Sequence, residues 1–342
     1  MESAVACRAA PEQGRDVFVN KTPLYKPLWG RGAFGGAVLA QALSAAQATV
    51  PAGFVADTMH CHFFRAVQTH APLYAHVERV REGASIATRA VRCLQAAGGT
   101  AFAAMINFGR AAGRGPRMLQ HQPASPVSPA ALAAITSGGP RASTSAVDAD
   151  CPFESMRVRG RKDDAEERPE RQRIVQLTRA KLPPGAADDA ALQLAALAYM
   201  TDNYFLGTVP RVHKARRFSN RNLVSGVVAK LDEGHREAAT ERFQVLAEEE
   251  LADAASRGGQ GGVKKAPPPR IEMMVSLDHT IFFHNQEAVK ADEWMVMEME
   301  TPWAGQDRGL VLERIWTAGG VLVATCIQEG LFRLSQDAES HL

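Results

Sequence analysis

The chain has 342 residues, which is enough for two domains of ordinary size, each with a hydrophobic core. Its 39 lysines and arginines nearly balance its 37 aspartates and glutamates, so the net charge of +2 gives no general case for binding nucleic acid or an anionic membrane. Five cysteines without a Cys-x-x-Cys pair predict a reducing compartment and argue against a disulfide framework or a structural zinc site.

The first residues carry no sign of a secretion signal. No basic segment followed by an apolar core precedes Lys21, and no apolar run in the chain approaches the roughly 20 residues that span a bilayer. We therefore expect a soluble protein that is not secreted and has no membrane span, with residues 1–23 loosely held.

A glycine-rich segment from Gly30 to Gly36 precedes an alanine-rich helix predicted from about Ala37 to Thr49. The glycines formally match a dinucleotide-binding fingerprint. The two prolines between Lys21 and Trp29 argue against the buried strand that such a fold requires, and hairpins follow the helix. Small residues here favour close packing on a sheet, and the amides of the first turn, at Gly35 and Gly36, are candidates for an anion or oxyanion site.

Residues 54–110 predict four antiparallel strands, with turns near Gly83 and Gly98. Residues 111–150 are rich in alanine, glycine, proline and serine and show no periodicity, so we interpret them as a linker.

A second apolar helix is predicted from Ala190 to Leu206, capped by Asp188-Asp189 and ended by Gly207. Asp202 is the exception in this segment. Desolvation and the negative end of the helix dipole would both raise the pKa of its carboxyl, which suits a general base. An aspartate at a helix end that points to water is the simpler alternative.

Residues 211–270 read as a surface insertion. A basic cluster from Arg211 to Arg221 precedes a helical pattern from Val227 to Ala255, and residues 258–269 are predicted to be flexible. The cluster could contact phosphates of a ligand, but a solvated surface is favoured.

The segment from Met274 to His284 places Ser276 and His279 among strand-forming residues, and a long hairpin follows. This block aligns with residues 57–110, with His60 opposite His279 and Asn107 opposite Gln328. Two copies of one unit, each a helix wrapped by an antiparallel sheet, predict an α+β double hotdog fold. The predicted divisions are an N-terminal unit at 22–110, a linker at 111–150, a C-terminal unit at 151–334 and a tail at 335–342.

The tail ends in Ser340-His341-Leu342, a close variant of the Ser-Lys-Leu address that a peroxisomal import receptor reads. The polar residues 335–340 before it suit an extended segment. A peroxisomal matrix protein is therefore expected, with the import receptor as a partner, although a frayed polar tail would look similar.

With these elements in place, the chain resembles the type II acyl-CoA thioesterases, including their peroxisomal members. The resemblance covers about residues 22–110 and 150–334 without the insertion. It is carried by motifs in both units: Gly30-Arg31 with Phe34-Gly35-Gly36, His60 with Phe63 and Arg65, Arg81-Glu82-Gly83 with Ser85, Cys151-Pro152-Phe153-Glu154, Ala198-Tyr199 with Asp202, Ser276-Leu277-Asp278-His279 with Phe283-His284, Trp303-Ala304-Gly305 with Arg308-Gly309-Leu310, and Gln328-Glu329-Gly330.

The resemblance implies hydrolysis of acyl-CoA to a free fatty acid and CoA, without a cofactor. It assigns catalysis to Asp202, Ser276 and Gln328, in which the carboxylate activates a water and the hydroxyl and amide orient it. Gly35, Gly36 and His279 are expected to contact the substrate, and a homo-oligomer is left open. The chain departs from the family pattern at Ala37, at Ala66 and in its long insertion.

Two other activities are compatible with the sequence. A hotdog enoyl-CoA hydratase with His279 as acid and a non-hydrolytic acyl-CoA-binding or acyl-transfer protein both stay open. Ser276 and His279, three apart on a strand, point to opposite faces, which disfavours a nucleophile pair. No Gly-x-Ser-x-Gly supports an α/β-hydrolase, and the histidine spacings give no case for a metal site.

Overall fold

Two apolar helices lie against each other at the centre of the protein: α2 (Gly35–Gln47) and α4 (Ala190–Met200). The computed structural model describes residues 1–95, 99–110, 119–137, 150–159, 168–183, 185–219, 221–255 and 269–335. Both helices are buried along most of their length, as their alanine-rich and leucine-rich sequences predict. The Asp189 side chain caps α4 by accepting a hydrogen bond from the Leu192 amide at 3.0 Å.

One large antiparallel sheet wraps the helix pair. Its spatial order is β1-β2-β4-β5-β6-β3-β10-β13-β12-β11-β8-β7, and β9 pairs with the end of β13. The strands are β1 (Cys7–Ala9), β2 (Val17–Asn20), β3 (Phe54–Phe63), β4 (Tyr74–Glu82), β5 (Ile86–Gln95), β6 (Gly99–Arg110), β7 (Phe153–Arg157), β8 (Ile174–Ala180), β9 (Ile271–Ser276), β10 (Asp278–Phe283), β11 (Met295–Gly305), β12 (Arg308–Trp316) and β13 (Leu322–Leu334).

The strand order is symmetric about the pairing of β3 with β10, where Thr280 lies opposite His60. Strands β4, β5, β6 and β3 on one side correspond to β11, β12, β13 and β10 on the other, as expected for two copies of one unit. Buried apolar residues of both helices and both halves of the sheet form one continuous core. The predicted α+β double hotdog is thereby confirmed.

The other α-helices are peripheral to the central pair, although Val5 of α1 and Val209 of α5 belong to the same core. They are α1 (Glu2–Val5), α3 (Pro129–Ser137), α5 (Thr208–Val212), α6 (Arg221–Val228) and α7 (Glu233–Ala255). Within the described ranges, no helix combines the length and apolar character needed to cross a membrane.

Two segments are more ordered than the sequence suggested. The expectation that residues 1–23 are loosely held is wrong, because β2 pairs with β4 and the side chains of Val5, Val17 and Val19 are buried. The expected linker contains α3, whose Leu132 packs in a small apolar cluster with Trp316. Both segments gain order from burial against the sheet, which local periodicity does not reveal.

The predicted alignment of the two units is off by one residue in the sheet. Gln328 points inward toward the helices and is fully buried, whereas Asn107 lies between the buried Ile106 and Phe108 and so points to the outer face. His60 and His279 show the same mismatch, since His60 is exposed and His279 is buried. A shift of one residue moves all side chains of a strand to the opposite face of the sheet. A weak sequence repeat is therefore a poor guide to the register of the alignment.

We predict that Gly36→Ala destabilises the protein by about 1 to 3 kcal/mol, because a Cβ at Gly36 would lie 2.0 Å from the Tyr199 carbonyl oxygen and force α2 away from α4. Urea denaturation measures the change. Gly226→Ala in α6 is the matched control, since a Cβ there meets nothing within 4 Å. The control should be neutral or stabilising by up to about 1 kcal/mol, and equal losses in both variants would contradict the packing argument.

Candidate active site

A cavity of about 920 Å³ opens between the two units. Phe34, Gly35 and Phe63 of the N-terminal half line it together with Asp202 and Ser276 of the C-terminal half. This volume lies in the range of small-molecule sites, and the wall combines apolar rings with few polar groups at its inner end. Neither half of the chain encloses the cavity alone.

Asp202 lies where the ends of the two central helices meet. Helix α4 ends at Met200, earlier than the predicted Leu206, and the next turn carries the Asp202 carboxylate to the N-terminal end of α2. The Gly36 amide donates a hydrogen bond to Asp202 Oδ2 at 3.1 Å. Helix α2 has no side-chain cap from its own N-cap residue, so a carboxylate from the other unit satisfies its first turn.

The contact requires glycine at the start of α2. A Cβ at Gly35 would lie 2.6 Å from Asp202 Oδ2, closer than a Cβ atom approaches a non-bonded oxygen. The two glycines were predicted to contact substrate through their amides. The Gly36 amide donates to Asp202 in this structure, whereas Gly35 lines the cavity and its contact with substrate stays a prediction.

Ser276 and Gln328 complete a hydrogen-bonded set around the carboxylate. Gln328 Nε2 donates to Asp202 Oδ1 at 3.1 Å and to Ser276 Oγ at 2.7 Å. Ser276 is the last residue of β9, next to the break before β10, while Gln328 projects inward from β13 and is 0% exposed. The structure therefore brings together the three residues that the sequence proposed, although they lie 52 to 126 positions apart.

The set leaves one proton donor directed to the cavity. Because Ser276 Oγ accepts from Gln328, its own hydrogen remains for a water or substrate in the cavity that Ser276 lines. Gln328 Oε1 is buried and meets no hydrogen-bond partner among the described residues.

Burial raises the pKa of Asp202 to about 6, against the opposing effect of hydrogen bonds from Gln328, Gly36 and Gly35. A carboxylate in this range is ionised at neutral pH and can still accept a proton. That property suits a general base.

His279 does not reach the cavity, which corrects the prediction that it contacts substrate. It is 0% exposed on β10, its Nε2 is 3.0 Å from Thr201 Oγ1, and Phe205 packs edge-on against its ring. Burial lowers the pKa of His279 to about 3, so the imidazole is neutral. We interpret it as a support for the turn after α4 that carries Asp202.

Glu313 is a buried carboxyl that the sequence reasoning missed. It points inward from β12, opposite Cys326, and burial raises its pKa well above the usual range, with the charge of Asp202 adding to the shift. The alternation of β12 was the available signal, because Glu313 falls in the inward row between Val311 and Ile315.

Two further points concern the C-terminal tail and metal binding. Residues 340–342, the proposed import signal, lie outside the described residues. Among the residues that are described, no group of three or more His, Cys, Asp or Glu side chains has the arrangement of a metal site.

Comparison with known proteins is consistent across sequence and structure. Residues 23–109 match the model of the "Acyl-CoA thioesterase N-terminal domain" family and residues 123–332 that of the "Acyl-CoA thioesterase C-terminal domain" family. Acyl-coenzyme A thioesterase 8 of Mus musculus is 29% identical over 334 residues, covering 90% of this chain and 83% of the relative.

Two solved structures show the same fold. The acyl-CoA thioesterase II TesB2 from Mycobacterium marinum superposes with a TM-score of 0.63 at 23% identity, covering 99% of this chain and 98% of that one. A hot dog fold protein of unknown function from Alicyclobacillus acidocaldarius gives a TM-score of 0.57 at 16% identity, with 98% of each chain covered.

We predict that the raised pKa of Asp202 makes the folded protein less stable as pH rises from about 4 to about 6. In this window the folded state binds more protons than the unfolded state, so the free energy of unfolding falls with pH and stays lower above it. Urea denaturation measures the free energy of unfolding at about pH 4 and at about pH 7. Between these two pH values, the free energy of unfolding of wild type should fall by on the order of 1 to 3 kcal/mol relative to that of Asp202→Asn. A difference between the two proteins that does not change with pH would contradict the assignment.

Proposed function

Because the chain belongs to the acyl-CoA thioesterase family and hydrolyses acyl-CoA thioesters, we propose that Asp202, Ser276 and Gln328 carry out this hydrolysis. The observation that supports the proposal is the shared Gln328 amide, which donates to both Asp202 and Ser276 at the inner end of the cavity. Among the described carboxylates of the cavity wall, Asp202 is the one that accepts a hydrogen bond from this amide.

In the proposed reaction, Asp202 accepts a proton from a water as the water oxygen attacks the thioester carbon. The C–O bond forms and the carbonyl electrons move to oxygen. Collapse of this tetrahedral intermediate breaks the C–S bond, and the thiolate of CoA takes the proton back from Asp202. The products are the fatty acid and CoA, and the enzyme returns to its starting state.

The neighbours of Asp202 have separate tasks in this scheme. Gln328 holds Asp202 Oδ1 and Ser276 Oγ in one fixed geometry, which limits the motion of both groups. The Ser276 hydroxyl donates its hydrogen into the cavity, and the positive end of α2 favours negative charge that develops near Gly36.

The hydratase alternative has less support. It required His279 as an acid, but this imidazole is fully buried, has a pKa of about 3 and bonds to Thr201. A proton donor must lie within reach of the substrate, and His279 is not on the cavity wall.

The proposed location is the peroxisomal matrix, on the strength of the C-terminal Ser340-His341-Leu342. The import receptor is the corresponding partner. The unit boundaries at 22–110 and 151–334 and the homo-oligomer stay predictions.

We predict that Asp202→Asn abolishes hydrolysis while the protein stays folded, because the amide has nearly the same shape but cannot accept the proton. The loss should appear in kcat rather than in KM. Release of free CoA from a saturated acyl-CoA, followed with a thiol-reactive dye, measures the rate. Near-normal turnover of the variant would show that Asp202 is not the base.

We predict that Gln328→Ala lowers kcat by about 10²-fold, as expected for loss of one positioning group. Asn107→Ala is the matched control, because this amide bonds Thr88 and Thr58 on the outer face of the other unit. The control should affect stability only. Equal losses of activity in two equally folded variants would mean that both units contribute to the site.

We predict that a fluorescent protein fused in front of the chain, leaving Leu342 free, is imported into peroxisomes. Deleting residues 340–342 should spread the fusion through the cytosol, because the receptor reads the last three residues. Fluorescence microscopy distinguishes the two patterns, and identical distributions would remove the targeting proposal.

A further inference from the structure

The insertion closes the outer part of the cavity that contains Asp202 and Ser276. The loop around Arg217 and the α7 residues Arg242 and Leu246 lie on the same cavity wall as the catalytic candidates. Phe243 of α7 is buried against Phe218, whose ring stacks edge-on with that of Trp29 at 5.2 Å. The described part of the insertion, residues 211–219 and 221–255, is thus packed against Trp29, directly before the glycine-rich segment of the N-terminal unit.

Arg242 is a buried cation facing this cavity. Its side chain is 4% exposed, and its Nε and Nη1 atoms have no hydrogen-bond partner in the part of the chain that the structure describes. Its guanidinium lies 5.8 Å from the centre of the Trp29 ring. A buried guanidinium with two nitrogen atoms left without hydrogen bonds is costly, so this arrangement favours an anionic ligand in the cavity.

Arg217 is a second cation on the same wall. Its Nη1 is 3.9 Å from the sulfur of Met274, which precedes Ser276 by two residues on β9. Two residues along a strand correspond to about 7 Å, so Arg217 lies close to the inner site. Burial lowers the pKa of Arg217 to about 10, with Glu250 opposing the shift and the charge of Arg31 adding to it. The guanidinium stays charged at neutral pH.

Glu250 fixes the position of this cation. Its carboxylate accepts hydrogen bonds from the Arg217 amide at 2.7 Å and from the amide and hydroxyl of Ser219 at 2.9 and 2.6 Å. The loop that carries Arg217 is therefore tied to α7, the helix that carries Arg242. Loss of the Glu250 carboxylate would therefore release the loop that carries Arg217.

The cavity wall as a whole carries a net positive charge. Nine lysines and arginines line the cavity, against four aspartates and glutamates, one of which is the catalytic candidate Asp202. An excess of cations beside two aromatic rings, Trp29 and Phe218, matches a ligand that joins phosphates to a flat base.

We infer that residues 211–219 and 221–255 of the insertion, together with Arg31, form a subsite for the nucleotide part of CoA, an adenosine that carries a 3′-phosphate and a 5′-diphosphate. Arg242 and Arg217 are the specificity-determining residues of this subsite, and Glu250 is a positioning residue. The inference rests on the proposed function, in which the inner end of the same cavity takes the thioester. The insertion then selects the carrier of the acyl chain, whereas Asp202, Ser276 and Gln328 act on the bond.

The test compares two substrates with the same acyl chain, an acyl-CoA and an acyl-N-acetylcysteamine, which keeps the thioester but lacks the nucleotide. Arg242→Gln and Arg217→Gln should each raise KM for acyl-CoA by about 10- to 100-fold with little change in kcat. Neither should change hydrolysis of the short thioester. Arg236→Gln is the matched control, because Arg236 is exposed on the same helix and does not line the cavity.

Direct binding separates failure of this subsite from failure of the proposed function. Adenosine 3′,5′-bisphosphate should bind wild type in calorimetry, compete with acyl-CoA and bind the Arg242→Gln variant at least tenfold more weakly. Urea denaturation checks folding, and Arg31→Gln replaces any variant that does not fold. Three results would each overturn the inference. They are equal effects of the arginine substitutions on both substrates, no binding of the bisphosphate, and inhibition by ADP that is as strong for the short thioester as for acyl-CoA. If wild type is inactive but binds the bisphosphate more tightly than Arg242→Gln does, only the proposed function is overturned.

Discussion

The contact between the Asp202 carboxylate and the first turn of α2 is the interaction on which the rest of the site depends. It joins the end of one unit's helix region to the start of the other unit's helix through the Gly36 amide. Gly36 has no room for a Cβ against the Tyr199 carbonyl, so the helices can approach closely enough for the contact to form. The same approach buries the carboxyl, and burial raises its pKa toward the range a base requires.

The double hotdog explains why the site needs both copies of the unit. Each copy supplies a helix and half of the sheet, but only the C-terminal copy supplies Asp202, Ser276 and Gln328. The N-terminal copy contributes the amide that holds Asp202 and part of the cavity wall, including Phe34 and Phe63. Asn107 lies on the outer face of the N-terminal half of the sheet, where its side chain bonds Thr88 and Thr58.

Much of the fold and the three candidate catalytic residues could be predicted from the sequence. Ser276 and Gln328 came from resemblance to a family, because a serine or glutamine in a strand carries no distinctive local signal. The predicted match of Asn107 to Gln328 was wrong because a one-residue shift reverses the face of a strand. Glu313 and Arg242 were missed or left as surface residues, since their burial depends on contacts with strands and helices distant in sequence.

If an ionised Asp202 is the base for hydrolysis, the pH dependence of kcat/KM follows the titration of this carboxyl, because the ratio reports ionisations of the free enzyme. We expect kcat/KM to rise about tenfold per pH unit below about pH 6 and to reach a plateau above it. A kcat/KM that does not change between about pH 4.5 and about pH 7.5, in protein that remains folded throughout, would show that Asp202 is not the base.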